Sequence, residues 1–235
     1  MLRDTLKGTG VALVTPFKKD LTIDFPALEN LIEIQIKGGV NYIVTLGTTG
    51  ESVTLTEEEK VEVFNFTVKI VNGRLPIVIG IGGNNTASVI KAFTKFDLTK
   101  VVAILSVTPY YNKPTQEGLY QHYVALADAA PKPIILYNVP GRTGRNMTAA
   151  TSLRLANHPN IAGIKEAGPE MAQTIDLLKD RPKDFLVVSG DDEIVMAQIA
   201  CGMDGVIGVA ANAFPKPFSD MIRYSMAGDF SMAKR

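Results

Sequence analysis

The stretch TEEEKVEVFNFTVKIVNGRLPIVIGI (56–81) contains one helix pattern followed by one strand pattern, and this succession recurs along the chain. Thr56 with Glu59 fits a capping box, and three glutamates open the first turn. Gly73 marks the end of the helix. The apolar run LPIVIGI (75–81) does not alternate with polar residues, so it predicts a strand that is covered on both faces.

Seven further runs of this kind are separated by helical stretches such as FPALENLIEIQIKGG (25–39). Eight strand–helix units predict the α/β class and, within it, a (β/α)8 TIM barrel. A doubly wound sheet is the alternative, but it usually needs fewer strands, and GIGGNN (80–85) lacks the G-x-G-x-x-G spacing of dinucleotide sites. The other runs are GVALVTP (10–16), NYIVTLG (41–47), VVAILSV (101–107), PIILYNV (133–139), IAGIK (161–165), FLVVSG (185–190) and GVIGVA (205–210).

The pattern predicts two regions. Residues 1–228 form the barrel, a catalytic domain that ends with the eighth helix PKPFSDMIRYSMAG (215–228). Residues 229–235, DFSMAKR, are expected to begin a C-terminal helical region that is mostly absent, because this segment starts a helix without a stop signal.

Composition excludes several classes of function. The 24 basic and 24 acidic residues cancel, and no lysine/arginine run suits a phosphate backbone, so no nucleic acid partner is expected. No signal peptide and no membrane span is recognised, which predicts a cytoplasmic protein with a small-molecule substrate. Cys201 is the single cysteine and is expected in the core. His122 and His158 lack partners at metal-ligand spacing, so no metal site is predicted.

In a barrel of this type the active site forms where the strands end. Hydroxyls, phenols, one arginine and one lysine follow the predicted strands and therefore converge on one mouth. The segments are GTTGES (47–52), TPYYN (108–112), YNVPGRTG (137–144), Lys165, SGDD (189–192) and Ile207 with Gly208.

Lys165 lies inside an apolar run, and this setting indicates a reaction. Burial lowers the pKa of a lysine and makes its free amine available. A free amine can attack a ketone and form a Schiff base, after which tyrosines and threonines can relay protons. Arg142 offers two donors to a substrate carboxylate, and the amides and hydroxyls of Thr48 and Thr49 offer neutral donors to a second one.

Each of these residues also has a purely structural explanation. A lysine at a strand end often extends to solvent, and Arg142 could be a plain surface charge. Tyr110 and Tyr111 could be core or interface aromatics. The acidic run 191–193 could bind a divalent cation, although acids at a helix N-terminus are commoner. The joint placement of all these residues at successive strand ends favours a functional site.

Together GTTGES, TPYYNKPTQEGLYQHY (108–123), YNVPGRTG, IKEAG (164–168) and SGDD resemble the dihydrodipicolinate synthase family. The likeness runs from GTGVALVTPF (8–17) to the end of the chain. It implies a Schiff-base lyase that condenses pyruvate with L-aspartate-4-semialdehyde, an early step toward diaminopimelate and lysine. It also implies no cofactor beyond the covalent bond to pyruvate, and a homo-oligomer, either a dimer or a dimer of dimers (a homotetramer).

The resemblance carries roles to individual residues. Lys165 matches the Schiff-base lysine, Tyr137 the proton-relaying tyrosine, and Thr48 and Tyr111 its relay partners, with Tyr111 supplied by a neighbouring subunit. Substrate-binding positions and one position at the subunit interface complete the set: Thr49 for the pyruvate carboxylate, Arg142 for the semialdehyde carboxylate, Gly190 and Ile207 for the lysine pocket, and Tyr110 for the interface.

Related functions compete with this one. N-acetylneuraminate lyase usually has serine in place of Thr48 and lacks Arg142, and KEAG (165–168) differs from the lyase-like KQTSG. Other keto-acid aldolases fit less well. A barrel that senses a keto acid without catalysis has no need of a proton relay. Relatives that are inhibited by lysine tend to carry histidine or glutamate at the position of Lys60, and glutamate at the position of Ser88. Here a lysine ligand would meet a like charge and lack a carboxylate, so weak or no lysine feedback is expected.

Overall fold

The computed structural model describes Met1–Arg235, and its strands form one closed parallel barrel in the order β1 to β8. This confirms the predicted (β/α)8 TIM barrel over the doubly wound sheet. The strands are β1 Gly8–Ala12, β2 Tyr42–Thr45, β3 Ile77–Gly80, β4 Ala103–Val107, β5 Ile134–Asn138, β6 Ile161–Glu166, β7 Leu186–Ser189 and β8 Gly205–Gly208. Each lies within or close to its predicted run; β1 differs most, because it begins two residues earlier and ends at Ala12.

Helices cover the barrel. They are α1 Leu2–Thr5, α2 Phe25–Lys37, α3 Glu57–Val71, α4 Thr86–Ala92, α5 Gln116–Ala129, α6 Pro140–Thr143, α7 Ala149–Leu155, α8 Met171–Asp180, α9 Val195–Ala200, α10 Pro215–Met226 and α11 Phe230–Ala233, with short 3-10 turns at Phe93–Lys95, Leu98–Lys100 and Ala210–Asn212. The capping box of α3 forms as predicted: the Thr56 side chain accepts from the Glu59 amide and the Glu59 side chain accepts from the Thr56 amide.

Two apolar layers hold the fold together. The larger one lies between barrel and helices and includes Ile134, Leu136 and Ile164. The smaller one fills the barrel interior and includes Ile135 and Tyr137. Successive residues of a strand therefore point alternately outward and inward, as the period of a β-strand requires.

An extra residue in β6 interrupts this alternation. Ile134 pairs with Ile161, but the next residue of β5, Ile135, pairs with Gly163, so Ala162 has no partner in the register. Ile161 and Ile164 consequently both face the helices. The register shift, which has the form of a β-bulge, thus turns Lys165 toward the barrel interior.

A buried charge cluster closes the opposite, amino-terminal end of the barrel. Asp204, which precedes β8, is 4% exposed. Its carboxylate accepts from Arg3 at 2.8 and 3.0 Å, from Arg181 at 2.6 Å and from the Val187 amide at 3.0 Å. The four residues of β8 lead from Asp204 to the mouth, so this cluster lies at the opposite end of the barrel from the candidate site.

Candidate active site

The carboxyl ends of the strands bring most of the predicted residues to one mouth. Tyr137 and Lys165 lie directly opposite each other in the β5–β6 register. Ile207 lies in β8. Thr48 and Thr49 follow β2, Gly190 follows β7, and Arg142 lies in α6, the helical turn after β5.

Lys165 is 5% exposed, and its ε-amine lies 4.4 Å from the centroid of the Tyr137 ring. Burial lowers the pKa of this lysine to about 8, because the ammonium form loses its hydration. The negative charge of Asp192 acts in the opposite direction, and the positive charge of Arg142 lowers the pKa further. The lysine does not extend to solvent, so the structural alternative fails here and the amine is available near neutral pH.

Gly190 gives the lysine its space. A Cβ atom at this position would lie 2.8 Å from Cε of Lys165 and 2.6 Å from Cβ of Ala167. Both distances are below normal van der Waals contact, so any larger residue would displace the lysine stem. The position therefore shapes the lysine pocket.

Tyr137 is the phenol that lies opposite this amine in the neighbouring strand. It is 6% exposed, and burial raises the pKa of its hydroxyl because the phenolate would be poorly solvated. The positive charge of Arg142 and a hydrogen bond with Thr48 lower the pKa of Tyr137 and partly offset burial. A neutral phenol beside a hydroxyl and a guanidinium can pass a proton in either direction.

An open cavity of about 720 Å³ leads to these groups. Thr48, Tyr110, Tyr137 and Arg142 are among the residues that line it. Lys165 is not among the lining residues. The volume is within the usual range for small-molecule sites.

Hydrogen bonds hold the GTTGES turn at the rim. The Thr15 hydroxyl donates to the carbonyl of Gly50 at 2.7 Å, and the amide of Gly50 donates to the carbonyl of Gly47. Leu46, which enters the turn, has a φ of 55°, a left-handed conformation that is rare for a branched residue. The backbone amides of Thr48 and Thr49 donate no hydrogen bond within the chain.

Tyr111 is the one predicted catalytic residue that the structure does not bring into the mouth. Its side chain is 84% exposed, and its φ is 73°. Its neighbour Tyr110 is half-buried, and its carbonyl accepts from Asn84 at 3.3 Å. A left-handed backbone thus presents the Tyr111 phenol outward from its own barrel.

The acidic residues after β7 form turns and caps. Asp191 accepts from the amide of Glu193 at 3.0 Å. Asp192 accepts from the amides of Val209 and Ala210 at 2.9 and 2.7 Å, and so caps the turn after β8. The structure contains no group of three or more histidine, cysteine or acidic side chains placed to hold a metal ion. Sequence reasoning offered Asp192 as a cation ligand or cap and missed its proximity to Lys165.

One minor prediction is wrong. Cys201 is exposed rather than in the core, because it lies at the end of α9 where the chain turns toward Gly202. The predicted structural roles of the histidines fit their contacts, since His122 lies 2.8 Å from the Thr86 hydroxyl and His158 lies 3.0 Å from Asp128.

None of the helices combines the length and apolar character needed to cross a membrane.

Fold and site together define a class, a (β/α)8 barrel whose catalytic end holds a buried and readily neutralised lysine amine. The sequence model of the Dihydrodipicolinate synthetase family matches residues 5–235. The chain belongs to this family.

Individual relatives agree with this assignment. The 4-hydroxy-tetrahydrodipicolinate synthase of Parabacteroides distasonis is 51% identical over 97% of this chain and 77% of its own length. The enzyme of the same name from Flavobacterium psychrophilum is 54% identical over 93% of this chain and 75% of its own. Chloride-inhibited dihydrodipicolinate synthase from Acinetobacter baumannii, crystallised with pyruvate, has a TM-score of 0.94 and 44% identity, covering 98% of this chain and 79% of that one.

Proposed function

We propose that the chain catalyses the condensation of pyruvate with L-aspartate-4-semialdehyde to 4-hydroxy-tetrahydrodipicolinate, as a lyase of lysine and diaminopimelate biosynthesis. The observation that carries the proposal is the Lys165 amine, which is buried at the barrel mouth with its pKa lowered to about 8. The names of the relatives support the same reaction over N-acetylneuraminate lyase.

The chemistry follows from the amine. Lys165 attacks the keto carbon of pyruvate, a C=N bond forms, and the keto oxygen leaves as water. The iminium withdraws electrons, so the adjacent methyl group loses a proton and an enamine results. The enamine carbon then bonds to the aldehyde carbon of the second substrate, whose oxygen takes up a proton, and the iminium on Lys165 is regenerated. The amino group of the semialdehyde attacks this iminium carbon and closes the ring, and Lys165 leaves as a free amine while the ring nitrogen forms the new C=N bond. The iminium itself is the electron sink, so no step requires a metal or an added cofactor.

The surrounding side chains have complementary roles. Tyr137 moves the protons of these steps, with Thr48 and Tyr111 as its relay partners. Thr49 and the free amides of its turn hold the pyruvate carboxylate, and Arg142 holds the carboxylate of the semialdehyde. The backbone at Gly190 and Ile207 lines the lysine pocket.

Tyr111 requires a second copy of the chain in this scheme, because its phenol faces away from its own mouth. We therefore propose a homo-oligomer, a dimer or a dimer of dimers, with Tyr110 at the interface. One solved relative, at 38% identity and a TM-score of 0.94, is described as a monomeric variant. Solution mass measured by light scattering tests the assembly, and a monomer that turns over at full rate would remove Tyr111 from the relay.

Borohydride trapping tests the mechanism. Incubation with pyruvate and borohydride is expected to add a reduced pyruvyl group to Lys165, located by peptide mass spectrometry. No adduct, or an adduct on another lysine, would refute the Schiff base. Comparing aspartate semialdehyde with N-acetylmannosamine as the acceptor then distinguishes the synthase from the lyase, and turnover itself excludes a keto-acid sensor.

A further inference from the structure

A buried polar network lies directly behind the proposed catalytic pair. Asn138 follows Tyr137 in β5, Glu166 follows Lys165 in β6, and the two successors are opposite each other in the register. Because successive strand residues alternate in direction, these two side chains point away from the barrel interior, toward the helices. Sequence reasoning assigned neither residue a role.

Glu166 is the acceptor at the centre of this network and is 1% exposed. Its carboxylate accepts from Nδ2 of Asn138 at 2.9 and 3.1 Å, from the amide of Gly168 at 2.6 Å and from Nε2 of Gln173 at 3.3 Å. All of these partners are neutral N–H donors. A Cβ at position 168 would lie 2.7 Å from the Glu166 carboxylate, so any larger residue there would press on this carboxylate.

The side-chain amides of Asn138 and Gln173 each have a fixed orientation, with the NH2 group toward Glu166. Oδ1 of Asn138 accepts from the amide of Met147 at 2.9 Å, which directs its Nδ2 toward Glu166. Nε2 of Gln173 donates to the carbonyl of Met147 at 3.1 Å, which fixes the orientation of that amide as well. Position 166 must therefore accept on both oxygens, a condition that a carboxylate meets and the isosteric glutamine does not. Burial raises the pKa of Glu166, so the site holds the carboxylate at a cost.

The same network reaches the loop that carries Arg142. Nδ2 of Asn138 also lies 2.8 Å from Oδ1 of Asn146, and Nδ2 of Asn146 donates to Gln173 at 2.8 Å. Asn146 is four residues beyond Arg142 on one continuous loop. Side-chain hydrogen bonds thus join the ends of β5 and β6 and the following loop from the outside.

We propose that Glu166 is a positioning residue, which fixes the ends of β5 and β6 so that the Tyr137 hydroxyl and the Lys165 amine keep the geometry needed for Schiff-base formation. The proposal rests on the proposed function, because it concerns the same two side chains. Glu166 touches no substrate and acts only through its neighbours in the two strands.

Glu166→Gln tests this with little change in shape. We expect the rate of borohydride-trapped adduct formation at saturating pyruvate, and kcat with it, to fall by about ten- to a hundredfold, because small displacements of reacting groups have effects of this size. The KM for pyruvate should change far less, since the carboxylate donors after β2 are untouched.

Asp204→Asn is the matched control, because Asp204 is also a buried carboxylate that accepts only from N–H groups, at the other end of the barrel. This variant should lower the melting temperature and leave kcat and KM unchanged. If Glu166→Gln does not fold, Gln173→Met removes one donor and should lower the trapping rate about threefold in the same direction.

The outcomes separate the two proposals. A wild-type chain that forms no adduct overturns the proposed function and this inference with it. A wild-type adduct on Lys165, combined with an unchanged trapping rate in folded Glu166→Gln or in Gln173→Met, overturns the positioning role alone. An equal loss of kcat in Asp204→Asn would also overturn it, because the effect would then follow general destabilisation.

Discussion

Replacing Lys165 with methionine should abolish activity and make the protein more stable. Methionine is similar in length and carries no charge, so it removes the burial cost of the ammonium group. Burial lowers the pKa of Lys165 from about 10.5 to about 8, and each pKa unit corresponds to about 1.4 kcal/mol. At pH values below the folded-state pKa, the charged lysine therefore lowers the free energy of unfolding by about 3 kcal/mol.

The sign of the pH dependence follows from proton binding. Between the folded and unfolded pKa values the unfolded chain binds more protons, so the wild-type free energy of unfolding rises with pH through this window. The stability gap between Lys165→Met and wild type should therefore shrink from about 3 kcal/mol near pH 7 to about 1 kcal/mol near pH 9.5. Urea denaturation at both pH values measures the gap.

Lys179→Met is the control, because Lys179 is exposed in α8 and has no ion pair. The difference in free energy of unfolding between Lys179→Met and wild type should be small at both pH values. The reasoning would be refuted if Lys165→Met were no more stable than wild type near pH 7, or if its gap stayed constant as the pH rose.

Three further predictions concern the mouth and the groove beside it. Tyr137→Phe should slow both Schiff-base formation and turnover by about a hundredfold with an unchanged melting temperature; unchanged single-turnover kinetics would count against the relay. Gly190→Ala should reduce the trapping rate at Lys165, since the new methyl group would lie 2.8 Å from Cε, and a wild-type rate would show that the pocket relaxes freely. L-lysine should inhibit weakly or not at all, because Lys60 and Lys95 share the single carboxylate of Glu57 on the cavity wall; micromolar inhibition in an initial-rate titration would contradict this.

The sequence predicted the strands well because they are buried on both faces and are therefore continuous in apolar character. The order of strand ends then sufficed to bring Thr48, Tyr137, Arg142 and Lys165 to one mouth. Local patterns also located the capping box of α3, whose two residues are three positions apart.

Other features depend on contacts that no local pattern records. The exposure of Tyr111 accompanies a left-handed backbone at Tyr111 and Lys113. The role of Asn138 and Glu166 depends on which face of each strand they occupy and on donors from α8 and the following loops. The polar motifs YN and KE were visible in the sequence, but their outward faces were not, because the register shift in β6 changes the alternation.

The unpaired Ala162 has a consequence for how this protein can vary. Exchanging the side chain at position 162 alters only local packing, whereas removing the residue would invert every position beyond it in β6. The amine of Lys165 would then lie among the helices, and the carboxylate of Glu166 would occupy the lumen. Which side chain of β6 reaches the barrel interior thus depends on the number of residues in the strand as much as on the residue at position 165. The strand can tolerate substitutions before Lys165, but not an insertion or a deletion.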